Sequence, residues 1–209
     1  MEITKRLNGK YMGIPAWGWL GINLLAIGIV ALLGPAEKSL EEHVRVVYLH
    51  GAWVWTALAG FAGAALVGLF GLVSQRKAFF AWSLALGRTG LLFWLTYLPL
   101  SLWAMRSNWN GLFLVEPRWR LALAFAIGGL VLQIGLAMIN NAPFTALGNI
   151  VYAFWLFYAL GSVENVMHPR SPIWESGVTS IQFFFAGLLG LTLLLGWQIA
   201  RLWRQGLDT

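Results

Sequence analysis

The amino-acid sequence predicts an all-α integral membrane protein: a bundle of six transmembrane helices with three short external loops. Hydrophobic residues make up 59% of the 209 residues, charged residues only 11%, and the mean hydropathy is +0.70. A soluble domain contains about 25% charged residues. Apolar runs long enough to span a bilayer recur along the chain. The 24 glycines and 13 tryptophans are typical of helices that pack closely within lipid and end at its interface.

Each span is predicted from an apolar run of about 20 residues. The first run ends at Gly34-Pro35, the polar turn after Ser74 separates the second from the third, and Asn140 closes the fourth. The fifth run is short, and the sixth follows a proline-containing loop. The predicted spans cover residues 11–33, 44–73, 79–105, 119–139, 144–161 and 174–203, in a single domain over 1–209. Regularly spaced small residues in the second span predict close helix packing: Gly60, Gly63, Ala64, Gly68 and Gly71.

The absence of cysteine from the sequence excludes disulfides, thiolate nucleophiles, iron–sulfur clusters and covalent c-type haem attachment to this chain. No extramembrane stretch is long enough for a soluble catalytic domain. We expect no cleavable signal peptide, because the first apolar run is long enough to span and no small-residue cleavage site follows it. In a membrane protein the net charge of +6 reflects loop orientation rather than a nucleic-acid partner.

The charge distribution predicts the orientation of the six spans. One side, which we call the tail side, comprises both termini and the turns at 74–78 and 140–143; the other, the histidine side, comprises the three longer loops. The tail side carries seven basic residues (Lys5, Arg6, Lys10, Arg76, Lys77, Arg201 and Arg204) with only Glu2 and Asp208 as acids. The other six acidic residues lie on the histidine side. The histidine side also carries six basic residues: Lys38, Arg45, Arg106, Arg118, Arg120 and Arg170. The prediction therefore relies also on the turns of the tail side, which are very short, whereas the longer, functional loops lie on the other side. Together with the positive-inside rule, this pattern predicts that the tail side, with both termini, is cytoplasmic.

All three histidines, His43, His50 and His168, belong to the histidine side. A neutral imidazole near the outer end of a helix is a common ligand for a metal or a haem iron. His43 and His50 are seven residues apart, so they share a helix face about two turns apart. His168 lies in the last external loop beside Pro169. The alternatives are an interfacial histidine beside an aromatic belt for His50 and a solvated surface histidine for His168.

The middle external loop, residues 106–120, is apolar and aromatic but interrupted by charge. It is either an amphipathic segment that lies in the interface or a hydrophobic shelf for a flat apolar ligand with acidic side groups. Guanidinium binds carboxylate through two parallel hydrogen bonds, so Arg106, Arg118 and Arg120 are candidate partners for such groups. Arg88, about ten residues into the third span, either snorkels to the cytoplasmic face or has a functional role.

These segments together resemble the CcmC-type haem-handling family of cytochrome c maturation, a branch of the CcmC/CcmF/CcsA superfamily. The family pattern R-x-x-Y-[IL]-H-x-x-x-x-W fits Arg45, Tyr48, Leu49, His50 and Trp55 without a gap. Its second external histidine, in an N-x-x-H context, fits Asn165 and His168. Its tryptophan-rich loop aligns with residues 109–118, where Trp109, Glu116 and Arg118 match in kind and other tryptophans are replaced, one of them by Phe113.

The resemblance implies that His50 and His168 are the two axial ligands of a non-covalent haem b at the outer membrane surface. It implies that the loop from Trp109 to Trp119 packs against the macrocycle, with Trp55 nearby, and that arginines such as Arg45, Arg106 or Arg118 hold the propionates. It also implies a bacterial inner-membrane location, with ABC transporter subunits, a small one-span membrane protein and a periplasmic haem chaperone as partners. Such a protein moves haem and is not an enzyme.

Two other functions remain open from the sequence. An integral haem b subunit of a membrane electron-transfer complex would use the same scaffold, and the replaced tryptophans favour it because a permanently held haem needs no presentation surface. A structural membrane subunit without a cofactor is the other alternative. His43 is also a possible substitute for either ligand, since a one-turn error in the second span would change which histidine faces the site.

Overall fold

The computed structural model describes residues 15–164 and 172–206, and its secondary structure is almost entirely helical. The helices are α1 (Ala16–Leu32), α2 (Val44–Ser74), α3 (Lys77–Trp109), α4 (Pro117–Ile139), α5 (Ala142–Ser162), α6 (Pro172–Glu175) and α7 (Thr179–Gln205). Five of them, α2, α3, α4, α5 and α7, are long and apolar enough to cross a membrane. The prediction of a multi-pass helical membrane bundle is therefore confirmed. At 17 residues, α1 is a shorter apolar helix.

The centre of the bundle is the antiparallel pair α2 and α3, which make the most extensive contact. Their closest approach is at two glycines: a Cβ atom placed on Gly60 would lie 2.8 Å from Cα of Gly90. Helix α5 packs against both helices, and α4 packs against α3 and α5. Helix α7 also packs against α2 and α3. Helix α1 rests mainly on α7, where Asn23 Nδ2 donates to Leu191 O and Gln198 Oε1, both at 3.2 Å. Small residues thus let the central backbones meet, as the spacing in the second span predicts.

A buried polar network joins the four helices α2 to α5 in their tail-side halves. Asn149 Nδ2 donates to Ser83 O at 3.0 Å and to Ser83 Oγ at 3.1 Å. Ser83 Oγ donates to Ala64 O at 2.8 Å, and Gln133 Nε2 donates to Asn149 Oδ1 at 2.9 Å. Because lipid offers no competing hydrogen-bond partners, this network (hereafter the polar clamp) fixes the register of the helices.

Within the described residues, the observed helix boundaries differ from the predicted spans by more than two residues at two places. Helix α3 continues past residue 105 to Trp109, which shortens the middle external loop to residues 110–116. The predicted sixth span begins at 174, whereas α7 begins at Thr179. Gly177 has a φ of +68°, a left-handed conformation that ends α6 and separates it from α7. The first helix begins after Pro15, and the start predicted at residue 11 lies outside the described residues.

Candidate functional site

The histidine-side end of the bundle encloses a largely apolar cavity of about 660 Å³. This volume lies within the range of about 300–1,000 Å³ that is typical of small-molecule and cofactor sites. Every long helix except α1 contributes to it, together with α6 and the loop between α1 and α2. The lining includes six of the residues that the sequence singles out: His50, Trp55, Trp109, Glu116, Arg118 and Trp119. Two motif-bearing segments that lie far apart in the chain therefore meet around one cavity.

The His50 ring lies on the cavity wall at the seventh position of α2, where it is half-buried. Its centroid is 5.3 Å from that of the Tyr97 ring on α3, at an interplanar angle of 43°. The neighbouring Gly51 leaves little room on the α7 side, because a Cβ atom there would lie 3.3 Å from the Phe185 ring. The imidazole therefore lies against Tyr97 of α3 at the wall of the cavity.

Two other residues of the first motif hold the start of α2 against the preceding loop. Arg45 Nε donates to Gly34 O at 2.9 Å, and its Nη1 forms a 3.2 Å ion pair with Glu42. The fully buried Tyr48 donates from its hydroxyl to Pro35 O at 3.2 Å. Neither side chain lines the cavity, so Arg45, a candidate propionate partner from the sequence, instead fixes the helix that carries His50.

Glu116 caps the helix that carries the second motif. Its Oε2 accepts a hydrogen bond from the Trp119 backbone N–H at 2.6 Å, and Pro117 occupies the first turn of α4. A carboxylate at this position also interacts favourably with the helix dipole. The side chain is only 5% exposed. This cap fixes the start of α4, where Arg118 and Trp119 line the cavity together with Trp109 at the end of α3.

Within the described part of the chain, three buried polar atoms of cavity-lining residues have no hydrogen-bond partner: Glu116 Oε1, Asn108 Oδ1 and Trp119 Nε1. Buried polar atoms in folded proteins are nearly always paired, and each exception calls for an explanation, such as a water or ligand that completes it. Two of these atoms are acceptors and one is a donor. The residues that carry these atoms lie in the walls of a largely apolar cavity, while the three atoms themselves are buried beneath its surface.

The other predicted site residues lie away from the cavity lining. Arg106 is exposed on the last turn of α3. Phe113 does not line the cavity, but it packs edge-on against Trp109, which does, with ring centroids 6.1 Å apart. Arg120 is exposed, with Nε 3.4 Å from Leu114 O. Among the predicted arginines, Arg118 alone therefore lines the cavity.

Of the two histidines in the described residues, His50 lines the cavity and His43 does not. His43 is exposed at the N-cap of α2, where its carbonyl accepts a 3.4 Å hydrogen bond from Asn108 Nδ2. His168, with Asn165, lies outside the described residues. Described residues on both sides of that segment, Gly161 and Pro172, line the cavity.

Sequence reasoning missed the floor of the cavity. Trp94, Tyr97, Ser101, Met105 and Asn108 lie along one face of α3 and line it. Residues three or four apart share one face of a helix. This spacing in the third span was the sequence feature that could have indicated these cavity-lining residues. Most of these side chains are apolar, and such a stripe is common in any packed bundle.

Neither the family models nor the curated proteins with which the chain was compared gave a match. The geometry of the cavity and the motifs in the sequence therefore carry the functional argument.

We expect the Glu116 cap to stabilise the start of α4. Glu116→Ala loses the cap, which costs about 1 kcal/mol, so its thermal midpoint should fall. Glu116→Gln keeps an oxygen that can accept the Trp119 N–H, so its midpoint should lie between those of wild type and the alanine variant. Thermal unfolding in detergent measures the three midpoints, and a glutamine variant as unstable as the alanine variant would contradict the capping role.

Proposed function

We propose that this chain is a membrane haem-handling protein of cytochrome c biogenesis, related to the CcmC type. In this proposal it binds haem b at the outer surface of the bacterial inner membrane and presents it to a periplasmic haem chaperone. The observation that carries the proposal is the shared cavity, where His50 from one motif meets Trp109, Glu116 and Arg118 from another. The haem is the cargo, and no bond is made or broken in turnover, so the protein is not an enzyme.

The residues around the cavity fit a haem. The structure supports His50 as one axial ligand, and the resemblance supplies His168 as the other. Trp55, Trp109 and Trp119 offer aromatic surface to the macrocycle. The Arg118 guanidinium suits a propionate. The described residues contain no group of three or more His, Asp or Glu side chains positioned to hold a metal ion, whereas a haem iron needs only axial ligands from the protein.

The histidine chemistry predicts the pH dependence of haem retention. Axial ligation requires neutral imidazoles, and an ordinary histidine side chain has a pKa of about 6.5. Protons therefore compete with the iron at lower pH, and haem retention should weaken as the pH falls below that value.

The membrane arrangement follows from the charge pattern. We propose that α1 also crosses the membrane and brings the number of spans to six, because its apolar run begins at about residue 11 in the sequence. Six spans place both termini on the same side, and the basic residues of the tail side assign that side to the cytoplasm. The three loops and the cavity then face the periplasm. The proposed partners are ABC transporter subunits, a small one-span membrane protein and the haem chaperone.

A second candidate function is an integral haem b subunit of an electron-transfer complex. The observation that favours it is the depth of the cavity, because the lining side chains of Trp94, Tyr97 and Met105 are buried inside the bundle. A cofactor held that deeply is suited to permanent retention.

Two measurements on the detergent-purified protein test the proposal. They are the absorption spectra of the oxidised and the dithionite-reduced protein, and the haem-to-protein ratio. We expect a low-spin b-type spectrum that disappears in the His168→Ala variant. Substoichiometric haem that passes to an apo-acceptor supports the haem-handling function, whereas stoichiometric haem that stays through purification supports the electron-transfer subunit. A featureless visible spectrum after haem is added back would overturn both.

A further inference from the structure

The Tyr97 side chain connects the candidate haem ligand to the core of the bundle. Its ring lines the cavity from α3 and is only 6% exposed. It contacts the His50 ring, with centroids 5.3 Å apart, and the Trp94 ring, with centroids 5.0 Å apart at an interplanar angle of 57°. Trp94 and Tyr97 are three residues apart and therefore lie on one face of α3. The three rings form a continuous set of contacts from α2 into α3, which we call the aromatic column (His50, Tyr97 and Trp94).

The inner end of the aromatic column is held in place by α4 and α2. Trp94 is 1% exposed, and its Nε1 donates to Ala122 O of α4 at 3.0 Å. Its ring also packs edge-on against Phe61 of α2, with centroids 6.1 Å apart. Close packing and a hydrogen bond leave a buried indole little freedom to change rotamer. Tyr97 therefore packs against a ring whose position is fixed.

The outer end of the aromatic column is the His50 imidazole, which is half-buried at the cavity wall. A histidine that binds a metal depends on neighbouring groups that fix the orientation of its ring. The Tyr97 ring, tilted by 43° to the imidazole, limits the orientations that the imidazole can adopt. We propose, on the basis of the haem function proposed above, that Tyr97 is a positioning residue that holds the His50 imidazole in the orientation required to bind the haem iron. Tyr97 acts through His50 and does not itself bind the iron.

NMR spectra of the ligand-free protein in detergent test the ring contact without haem. The sequence contains three histidines, so histidine-selective isotope labelling gives three sets of imidazole signals, which the His43→Ala and His50→Ala variants assign. An aromatic ring shifts the resonances of nuclei that lie close to it. We expect Tyr97→Leu, which removes the ring, to move the His50 imidazole signals. Tyr97→Phe, which keeps the ring, should leave them close to their wild-type positions.

Haem titration of the same variants tests the consequence for ligand binding. We expect Tyr97→Leu to bind haem about tenfold more weakly than wild type, the lower end of the effect of removing a group that orients a metal ligand. Its low-spin electron paramagnetic resonance signal should also broaden, because the imidazole then adopts more than one orientation at the iron. Tyr97→Phe should restore both the affinity and the signal of the wild-type protein.

Tyr152→Leu is the matched control. Tyr152 of α5 is partly buried and packs against Phe61, with ring centroids 4.9 Å apart, but it does not line the cavity. Its replacement should lower the thermal midpoint, yet leave haem affinity and the His50 signals at wild-type values. If Tyr97→Leu does not fold, Tyr97→Met replaces it in both measurements, because methionine fills irregular space with a flexible apolar side chain.

Three outcomes would overturn the positioning role of Tyr97 while the proposed haem function stands. They are His50 signals that do not move in Tyr97→Leu, wild-type haem affinity in that variant, and equal losses of affinity in Tyr97→Leu and Tyr152→Leu. A wild-type protein that binds no haem would instead overturn the proposed function and, with it, the positioning role.

Discussion

Replacing His50 with alanine is expected to remove nearly all of the b-type haem absorption of the purified protein. His50 is the cavity-lining histidine among the described residues. Loss of a group that merely supports a metal ligand costs about 10–100-fold in metal affinity, and loss of the ligand itself should cost at least as much. Haem titration of the purified variant, followed in the oxidised and reduced spectra, measures this change.

His43→Ala is the matched control for His50→Ala. His43 lies seven residues earlier in the chain but is exposed, and the hydrogen bond that it accepts is through its backbone carbonyl. Its replacement should leave haem affinity and the low-spin spectrum at wild-type values. If His43→Ala lost haem and His50→Ala retained it, the axial ligand would have to be reassigned. Unchanged haem binding in both variants would remove His50 from the site.

Gly60→Val is expected to have the largest effect on stability. A Cβ atom on Gly60 would lie 2.8 Å from Cα and 3.0 Å from N of Gly90. Both contacts are with backbone, so no side chain can rotate away, and α2 and α3 would have to separate. Overpacking of a tight core costs about 1–3 kcal/mol, and more where the backbone must shift. We expect the free energy of unfolding to fall by several kcal/mol in this variant. Reversible unfolding in mixed detergent micelles measures the change.

Gly128→Val on α4 is the control for this substitution. It introduces the same side chain into a helix, but a Cβ atom on Gly128 meets no other atom within 4 Å. The intrinsic cost of valine in a helix is then shared by the two variants, and the difference between them isolates the contact of α2 with α3. Similar free energies of unfolding for both variants would show that the helices do not depend on this close approach.

The long central helices were predictable because their apolar runs are bounded by polar or proline-containing turns. The predicted second span, 44–73, agrees with Val44–Ser74, and the fourth and fifth agree within two residues at each boundary. The break before α7 was missed because the apolar Ile173 and Trp174 were joined to the later apolar run, although Glu175 and Ser176 interrupt it. It depends on the left-handed backbone of Gly177, and glycine is too frequent in membrane helices to mark a boundary.

The candidate site was predictable where a residue type is distinctive. It was not predictable where the direction of a side chain decides whether the residue lines the cavity. His50, Glu116 and Arg118 are polar residues that stand out in a sequence with only 11% charged residues, and all three line the cavity. Arg45 is equally unusual, but its 2.9 Å bond to Gly34 O assigns it to the support of α2. No sequence pattern distinguishes an arginine that faces a ligand from one that faces a backbone carbonyl.

The polar clamp and the cavity occupy opposite halves of the same helices. Asn149 and Ser83 join the helices on the tail side, whereas the cavity reaches from His50 to Trp119 on the histidine side. The hydrogen bonds of the clamp are therefore spatially separated from the candidate ligand cavity. Under the proposed function, loading and unloading of a ligand would leave these bonds in place. In mechanical terms, the clamp is an anchor beneath the cavity and not a part of its wall.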